Sequence, residues 1–305
     1  HRIDVSDPSA PVMLAGGPTR EPLFGIKLDT SLSPASLVSE TDPSPSFFSG
    51  ADPATVAVNP SFGHATQTLV QAVSADADEH YVAAASFQLP GGAATLLSAG
   101  AFIYRAPNAT TDAVHFQRWQ VSDLKAGVTA PVMDLSFATA AGATSATATH
   151  FDVDPSARVA VLARSWSEGA NVVGQLHWLD LSTEPPSELE TISGNAVGVR
   201  VHEDRLVFAE NTSLGTKLHF RQRGSDSDAT LDVSGRITRL LGFDGTTAYY
   251  AVRNALRAVS NRPPAAPAPT LDVPMRGTPS SLTAMPQSLV ATSGTQLLTL
   301  APACN

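Results

Sequence analysis

The sequence predicts an all-β fold, and three observations support this prediction. Residues 196–275 read as one unit written twice, and each copy has four short apolar strands joined by polar turns. The repeat length is about 40 residues, which is typical of a β-propeller blade. The chain has 305 residues and 43% hydrophobic content, enough for one large β domain. We therefore expect residues 1–305 to form a single β-propeller of four-stranded antiparallel blades, with six or seven blades.

Each strand of the repeated unit corresponds to a short apolar segment of the sequence. The first copy runs GVRVHEDRLVFAE, TKLHFRQRG and ATLDVSG, and the second runs ITRLLGFDGTTAYYAV, ALRAVSN and PTLDVPM. Alternating apolar and polar residues between turn signals indicate strands. The same pattern predicts further strands or hairpins at residues 23–28, 54–58, 66–86, 97–104, 113–122, 130–133, 147–164 and 281–301.

The first 17 residues carry a recognisable motif. An apolar strand is followed by a Pro-rich turn, with Ile3, Asp4, Val5, Ser6, Asp7, Pro8 and Pro11 at the key positions. This segment resembles the LVIVD repeat of bacterial secreted and surface propellers. The resemblance implies a propeller fold and no particular activity.

The predicted repeat begins and ends within a blade. His1 falls inside a predicted strand, and the last unit has three strands instead of four. We expect that an upstream piece is missing or that the last strand lies elsewhere. Cys304 is the only cysteine, so it has no intramolecular partner. The hypothesis is a fragment of a longer precursor, with a possible disulfide-linked partner at Cys304.

Composition narrows the environment and the partners. Charged residues make up 15% of the chain, against about 25% in typical globular proteins. This bland composition favours a secreted or cell-surface bacterial protein. The formal net charge of −9 argues against nucleic acid as a partner. No apolar run is long enough for a transmembrane helix.

Acidic turns are the candidate metal sites. Asp76, Asp78 and His80 lie in one turn, and two other turns contain the pairs Asp152 with Asp154 and Asp226 with Asp228. Carboxylates in this density are possible calcium ligands. Aspartate also favours turns because it hydrogen-bonds its own backbone. We expect the structural role and no cofactor, with calcium as the alternative.

Three histidines recur at one position of the repeat, in Val-His-Phe, Leu-His-Trp and Leu-His-Phe. They are His115, His177 and His219. Because they belong to different blades, packing is the favoured interpretation over a shared metal. The sequence contains no Gly-x-Ser-x-Gly elbow, HExxH motif or Gly-rich phosphate loop.

The expected function is a protein- or glycan-binding or scaffolding module. Binding would use loops that depart from the repeat, above all residues 30–60, with Phe47 and Phe48 as exposed aromatic candidates. The alternative is a propeller hydrolase or lyase whose acids come from loops at the channel mouth. Convergent polar side chains with shifted pKa would favour the enzyme.

Overall fold

In the computed structural model, residues 101–107, 113–138, 146–169, 171–263, 265–285, 288–293 and 296–300 are described, and the first hundred residues are described only in their strands. The strands that begin before residue 100 are β1 (Arg2–Asp4), β2 (Val12–Ala15), β3 (Ile26–Asp29), β4 (Ser36–Ser39), β5 (Phe48–Ser49), β6 (Thr55–Val58), β7 (Gln67–Ala75), β8 (Tyr81–Pro90) and β9 (Ala94–Ala99).

The rest of the chain continues in the same manner, with one short helix. The elements are β10 (Phe102–Pro107), β11 (Ala113–Gln120), α1 (Val121–Lys125), β12 (Met133–Ala138), β13 (Ala146–Asp154), β14 (Val159–Glu168), β15 (Asn171–Asp180) and β16 (Ser187–Ser193). They are followed by β17 (Ala196–His202), β18 (Arg205–Asn211), β19 (Gly215–Gln222), β20 (Ala229–Ser234), β21 (Arg239–Phe243), β22 (Thr247–Val252), β23 (Ala255–Ser260), β24 (Ala268–Pro274), β25 (Pro279–Met285), β26 (Ser288–Ser293) and β27 (Gln296–Leu300).

The strands form antiparallel sheets of consecutive strands. In the described residues, five sheets have four strands each: β5–β8, β9–β12, β13–β16, β17–β20 and β21–β24. Strands β25–β27 form a three-stranded sheet, and the pairs β1–β2 and β3–β4 each form a two-stranded one. The predicted double repeat at residues 196–275 is confirmed, because it forms two successive four-stranded meanders.

The core lies between neighbouring sheets. Strand β14 illustrates this arrangement, because successive side chains of a strand point to opposite faces. Leu162 and Trp166 pack toward Phe116 and the sheet β9–β12. Val161 belongs instead to the cluster shared with Phe208 of the sheet β17–β20. The sheet β13–β16 is therefore apolar on both faces, and it buries them against the sheets before and after it.

The first strands of successive sheets lie side by side. Contacts join β9 to β13, β13 to β17, β17 to β21 and β21 to β25. Four of these strands share one irregularity, a single extra residue opposite the second strand of the sheet: Thr149, Val197, Leu241 and Ser280. Such a β-bulge leaves its extra residue outside the regular ladder of hydrogen bonds.

Three predicted elements differ from the structure. The predicted strand at 97–104 is a hairpin of β9 and β10, because a Gly follows Ala99 and breaks the strand. The strand predicted at 113–122 ends at Gln120, and α1 follows because Leu124 packs into the core with no exposed surface. The strand expected at 130–133 begins only at Met133, after Pro131, which has no backbone N–H.

Two aspartates of β13 connect this sheet to the next. The Asp152 carboxylate accepts a hydrogen bond from the backbone N–H of Val201 at 2.9 Å, and Asp154 accepts one from Glu203 at 2.9 Å. Asp154 also accepts the backbone N–H of Ser156 in its own turn at 2.9 Å. Burial alone would raise the pKa of Asp154, but these hydrogen bonds outweigh it and lower the pKa.

We predict that Asp154→Ala lowers the free energy of unfolding by about 2–3 kcal/mol, because it leaves backbone donors of two sheets without their charged acceptor. Urea denaturation followed by tryptophan fluorescence measures this loss. Asp226→Ala is the matched control, since Asp226 is an exposed turn aspartate, and we expect a change within about 0.5 kcal/mol. Equal losses in the two variants would contradict the connecting role of Asp154.

Candidate functional site

Most residues that the sequence analysis singled out for binding lie outside the residues that the structure describes. Asp76, Asp78, His80, Phe47 and Cys304 lie outside the described residues. Phe48 opens β5, where its backbone pairs with that of Ala57. The breaker-rich segment at 30–60 contains β6, which matches the strand predicted at 54–58, and the additional strands β4 and β5.

The recurring histidines each pair with an acid of their own sheet. His115 lies 2.8 Å from Asp134, His177 lies 3.0 Å from Glu188, and His219 lies 3.1 Å from Asp228. In the sheet β21–β24, Arg257 takes the same position and lies 3.2 Å from Asp272. Across the part of the chain that the structure describes, no three side chains of the metal-binding types come together. In the structure each histidine is thus paired with an acid, and the three do not converge on one another.

His177 shows how this position is used. Its Nε2 accepts a hydrogen bond from Arg164 at 2.8 Å, and its Nδ1 lies 3.0 Å from Glu188, which assigns the proton to Nδ1. The ring also packs on Phe137 of the preceding sheet, with centroids 4.5 Å apart. Burial lowers the pKa of His177 more than Glu188 raises it. The imidazole is therefore a neutral connector within a fixed network.

Of the polar cluster that forms along the first strands, the sequence singled out only Asp152, which was expected in a turn and lies on β13. The cluster consists of His150 and Asp152 on β13, Arg200 on β17 and Arg239 on β21, and we call these four residues the cationic cluster. The three strands belong to three successive sheets. The cluster is thus assembled from residues as far as 89 positions apart by the side-by-side contact of first strands.

Arg200 is held by backbone carbonyls. Its Nη1 donates to the carbonyl of Val199 at 2.8 Å, and its Nε lies 3.4 Å from the carbonyl of Leu241 on the next first strand. Leu241 is the extra residue of the β21 bulge, so its carbonyl is available to a side chain. The carboxylate of Asp152 lies 3.9 Å from Nη1, a loose ion pair.

Arg239 is held in the same way and has no acidic partner. Its Nη1 donates to the carbonyl of Ser280, the extra residue of the β25 bulge, at 2.6 Å. Within the described chain, no carboxylate lies within 4.0 Å of its guanidinium. The side chain is open to solvent, yet surrounding protein lowers its pKa through desolvation, and Arg200 adds repulsion. Arg239 is therefore an exposed guanidinium that is fixed by a backbone carbonyl and partly desolvated by neighbouring protein.

The positive charge of the neighbouring arginines destabilises the charged form of His150 and stabilises that of Asp152. Desolvation lowers the pKa of His150 to about 4, and the charges of Arg200 and Arg239 contribute to this shift. The pKa of Asp152 is raised, because burial outweighs the lowering effects of Arg200 and of the N–H of Val201. At neutral pH His150 is uncharged, so the arginines determine the sign of the potential here.

One sequence signal could have revealed the cluster. The first strands of the two repeats read GVRVH and ITRLL, and each has a single arginine among apolar residues. An arginine in a buried strand needs an acceptor. The sequence does not indicate that the acceptors are bulge carbonyls of the next sheet, because bulges have no distinct signal here.

We predict that His150 makes the folded chain less stable in acid. Its pKa is about 4 when folded and about 6.5 when unfolded, so the unfolded chain binds more protons between these values. The contribution of neutral His150 to the free energy of unfolding is fully present above pH 6.5. About 3 kcal/mol of it is lost as the pH falls to 4.

Urea denaturation across this pH range, for the native chain and His150→Gln, measures the contribution. The Gln variant should lose less stability on acidification, because it has no proton to bind. His115→Gln is the control for replacing a histidine, because His115 lies outside the cationic cluster in a partly exposed pair with Asp134. Parallel profiles for the native chain and His150→Gln would contradict the prediction.

Comparison with known proteins supports the fold and no more. No known protein family and no curated protein sequence matches the chain. Similar solved structures include Sqt1 of Chaetomium thermophilum, with 13% identity, 92% of this chain and 76% of that chain covered and a TM-score of 0.55. Hsv2 of Kluyveromyces lactis has 11% identity, 84% and 72% coverage and a TM-score of 0.51. A prolyl endopeptidase has 15% identity and a TM-score of 0.52, with 84% of this chain and 39% of that chain covered. These structures contain β-propellers, and the chain has a propeller-type fold of antiparallel four-stranded sheets.

Proposed function

We propose that the chain is a secreted or cell-surface β-propeller that acts as a binding or scaffolding module for a protein or glycan. The observation that carries this proposal is the chemistry of the cationic cluster. Backbone carbonyls hold the exposed guanidinium of Arg239 and the partly buried one of Arg200, which suits recognition of a ligand group. Such groups hold their charge at every physiological pH, so they bind well and exchange protons poorly.

Binding accounts for the cluster better than hydrolysis or elimination does. A general base works best when its pKa lies near the working pH. His150, with a pKa of about 4, is a weak base, and Asp152 is engaged by the backbone of β17. Among the described residues, no second acid or base forms a hydrogen bond that would activate either group as a catalyst. A protein or glycan group entering beside Arg239 needs only a hydrogen-bond donor, and that donor is present.

The proposed scaffold is a closed ring of seven blades. Strand β26 contacts β3, β3 contacts β5, and β5 contacts β9, which supports a continuous circuit of sheets. Strand β1 contacts β4, so the two short pairs β1–β2 and β3–β4 together supply one blade. A closed ring would leave no first strand without a neighbour, which removes exposed sheet edges.

Closure predicts a compact particle in solution. A compact chain of this length has a radius of gyration of about 19 Å. Small-angle X-ray scattering should return a value near this one, with a distance distribution of a single symmetric peak. A substantially larger radius with an extended tail would indicate an open arc of blades.

The binding function predicts saturable association without turnover. Fluorescently labelled chain is applied to an array of defined oligosaccharides and purified secreted proteins, with heat-unfolded chain as the control. The same preparation is assayed on chromogenic esters and glycosides and on polyuronates, the substrates of hydrolases and lyases. We expect saturable binding by the folded chain and no product above the blank.

Turnover that disappears in both His150→Ala and Asp152→Asn would contradict the proposal, because it would assign acid–base chemistry to the cluster. Turnover unaffected by these substitutions would place an active site elsewhere in the chain. Either result would replace the binding function with the enzymatic alternative.

A further inference from the structure

We propose that Arg200 and Arg239 form a binding site for a single carboxylate, with the Nε and Nη2 edge of Arg239 as the main contact. This inference rests on the proposed binding function and names the ligand group that the module takes. Three features support it: the placement of the two arginines relative to β21, the donors they leave free and the net charge of the cluster.

Both arginines are placed by β21: Arg200 contacts this strand from β17, and Arg239 belongs to it and extends to Ser280 of β25. Arg200 reaches the carbonyl of Leu241, and Arg239 is two residues before Leu241 on the same strand. Two residues of a strand span about 7 Å. A carboxylate has two oxygens and can therefore contact Arg239 while remaining within reach of the charge of Arg200.

The donors that remain free match a carboxylate. The Nη1 of Arg239 donates to Ser280, and its Nε and Nη2 make no hydrogen bond in the described chain. These two nitrogens form a planar edge that donates two parallel hydrogen bonds to a carboxylate. Arg200 uses Nε and Nη1 for backbone carbonyls, which leaves its Nη2 as a third donor.

The charge of the cluster favours a monoanion. Arg200 and Arg239 contribute two positive charges, and the carboxylate beside Arg200 at 3.9 Å, that of Asp152, offsets one of them. His150 is neutral at physiological pH. The remaining charge of one is balanced by one carboxylate, whereas a phosphate dianion would leave an excess negative charge in a partly desolvated site.

The anchoring of both arginines adds to the expected affinity. Each guanidinium is already fixed to a bulge carbonyl of the next sheet, 41 residues further along the chain. A ligand therefore orders little side-chain freedom on binding, which lowers the entropic cost. The bulges thus favour ligand binding, because their carbonyls fix the two guanidiniums before the ligand arrives.

The experiment is an NMR titration of the ¹⁵N-labelled chain, observed at the arginine Nε–Hε resonances. The probes are acetate, glucuronate, glutarate and inorganic phosphate at constant ionic strength. We expect saturable shifts of the Arg239 resonance with acetate, and phosphate binding no tighter than acetate. Glucuronate stronger than glutarate would identify an acidic sugar as the source of the carboxylate, and the reverse order would identify an acidic side chain.

Substitutions test the role of each arginine. Arg239→Gln should weaken acetate binding about tenfold or more, the loss of a charge-assisted hydrogen-bond pair. Arg239→Lys keeps the charge and removes the planar edge, so it should recover only part of the affinity. Arg257→Gln is the matched control on β23, because Arg257 is occupied by Asp272, and it should bind acetate normally. Thermal unfolding of each variant establishes that it is folded.

Three results would overturn the inference. They are the absence of a saturable shift with any carboxylate, equal affinity in the native chain and a folded Arg239→Gln variant, and phosphate binding tighter than every carboxylate. If the carboxylate site fails while the array still shows saturable binding, the proposed function stands without it. If acetate binds while the array assays show turnover, the site stands and the proposed function fails.

Discussion

The structure depends on the packing of each four-stranded sheet between two others. A strand such as β14 is apolar on both faces, with Leu162 toward one neighbouring sheet and Val161 toward the other. One sheet alone would expose half of this surface to water, and burial of apolar surface is the main favourable contribution to folding. The next sheets follow the same rule, with Val207 of β18 in the cluster that includes Tyr250 of β22. Stability is therefore shared between neighbours along the chain.

Packing of sheets also brings the first strands together. Polar side chains of these strands form hydrogen bonds from one sheet to the next within the otherwise apolar core. The carboxylates of Asp152 and Asp154 reach backbone donors of β17, and the guanidiniums of Arg200 and Arg239 reach bulge carbonyls of β21 and β25. All four contacts join one sheet to the next. The contacts differ in the hydrogen-bonding groups that they leave free. The aspartate carboxylates are engaged by backbone N–H groups, while Arg239 retains donors that are exposed to solvent.

The recurring histidines show that a position repeated in several sheets can serve the scaffold rather than a binding site. His115 and His219 pair with acids at matching places of different sheets, and Arg257 takes the same place in another sheet. A position that accepts either residue type beside an acid serves the scaffold. Arg239 differs from these positions because no carboxylate of the described residues pairs with its guanidinium, which makes it a better indicator of what the protein binds.

The sequence by itself determined the strands, their order and their grouping into meanders, because alternation and turn residues act between near neighbours. It predicted the two sheets of residues 196–275 and the three-stranded end of the chain correctly. It failed at α1, where burial of Leu124 outweighs local preference, and it did not indicate the cationic cluster. Only the tertiary structure decided that Arg200 meets Leu241, because that contact requires a bulge and the register between two sheets. These features follow from packing at long range, which short sequence patterns do not encode.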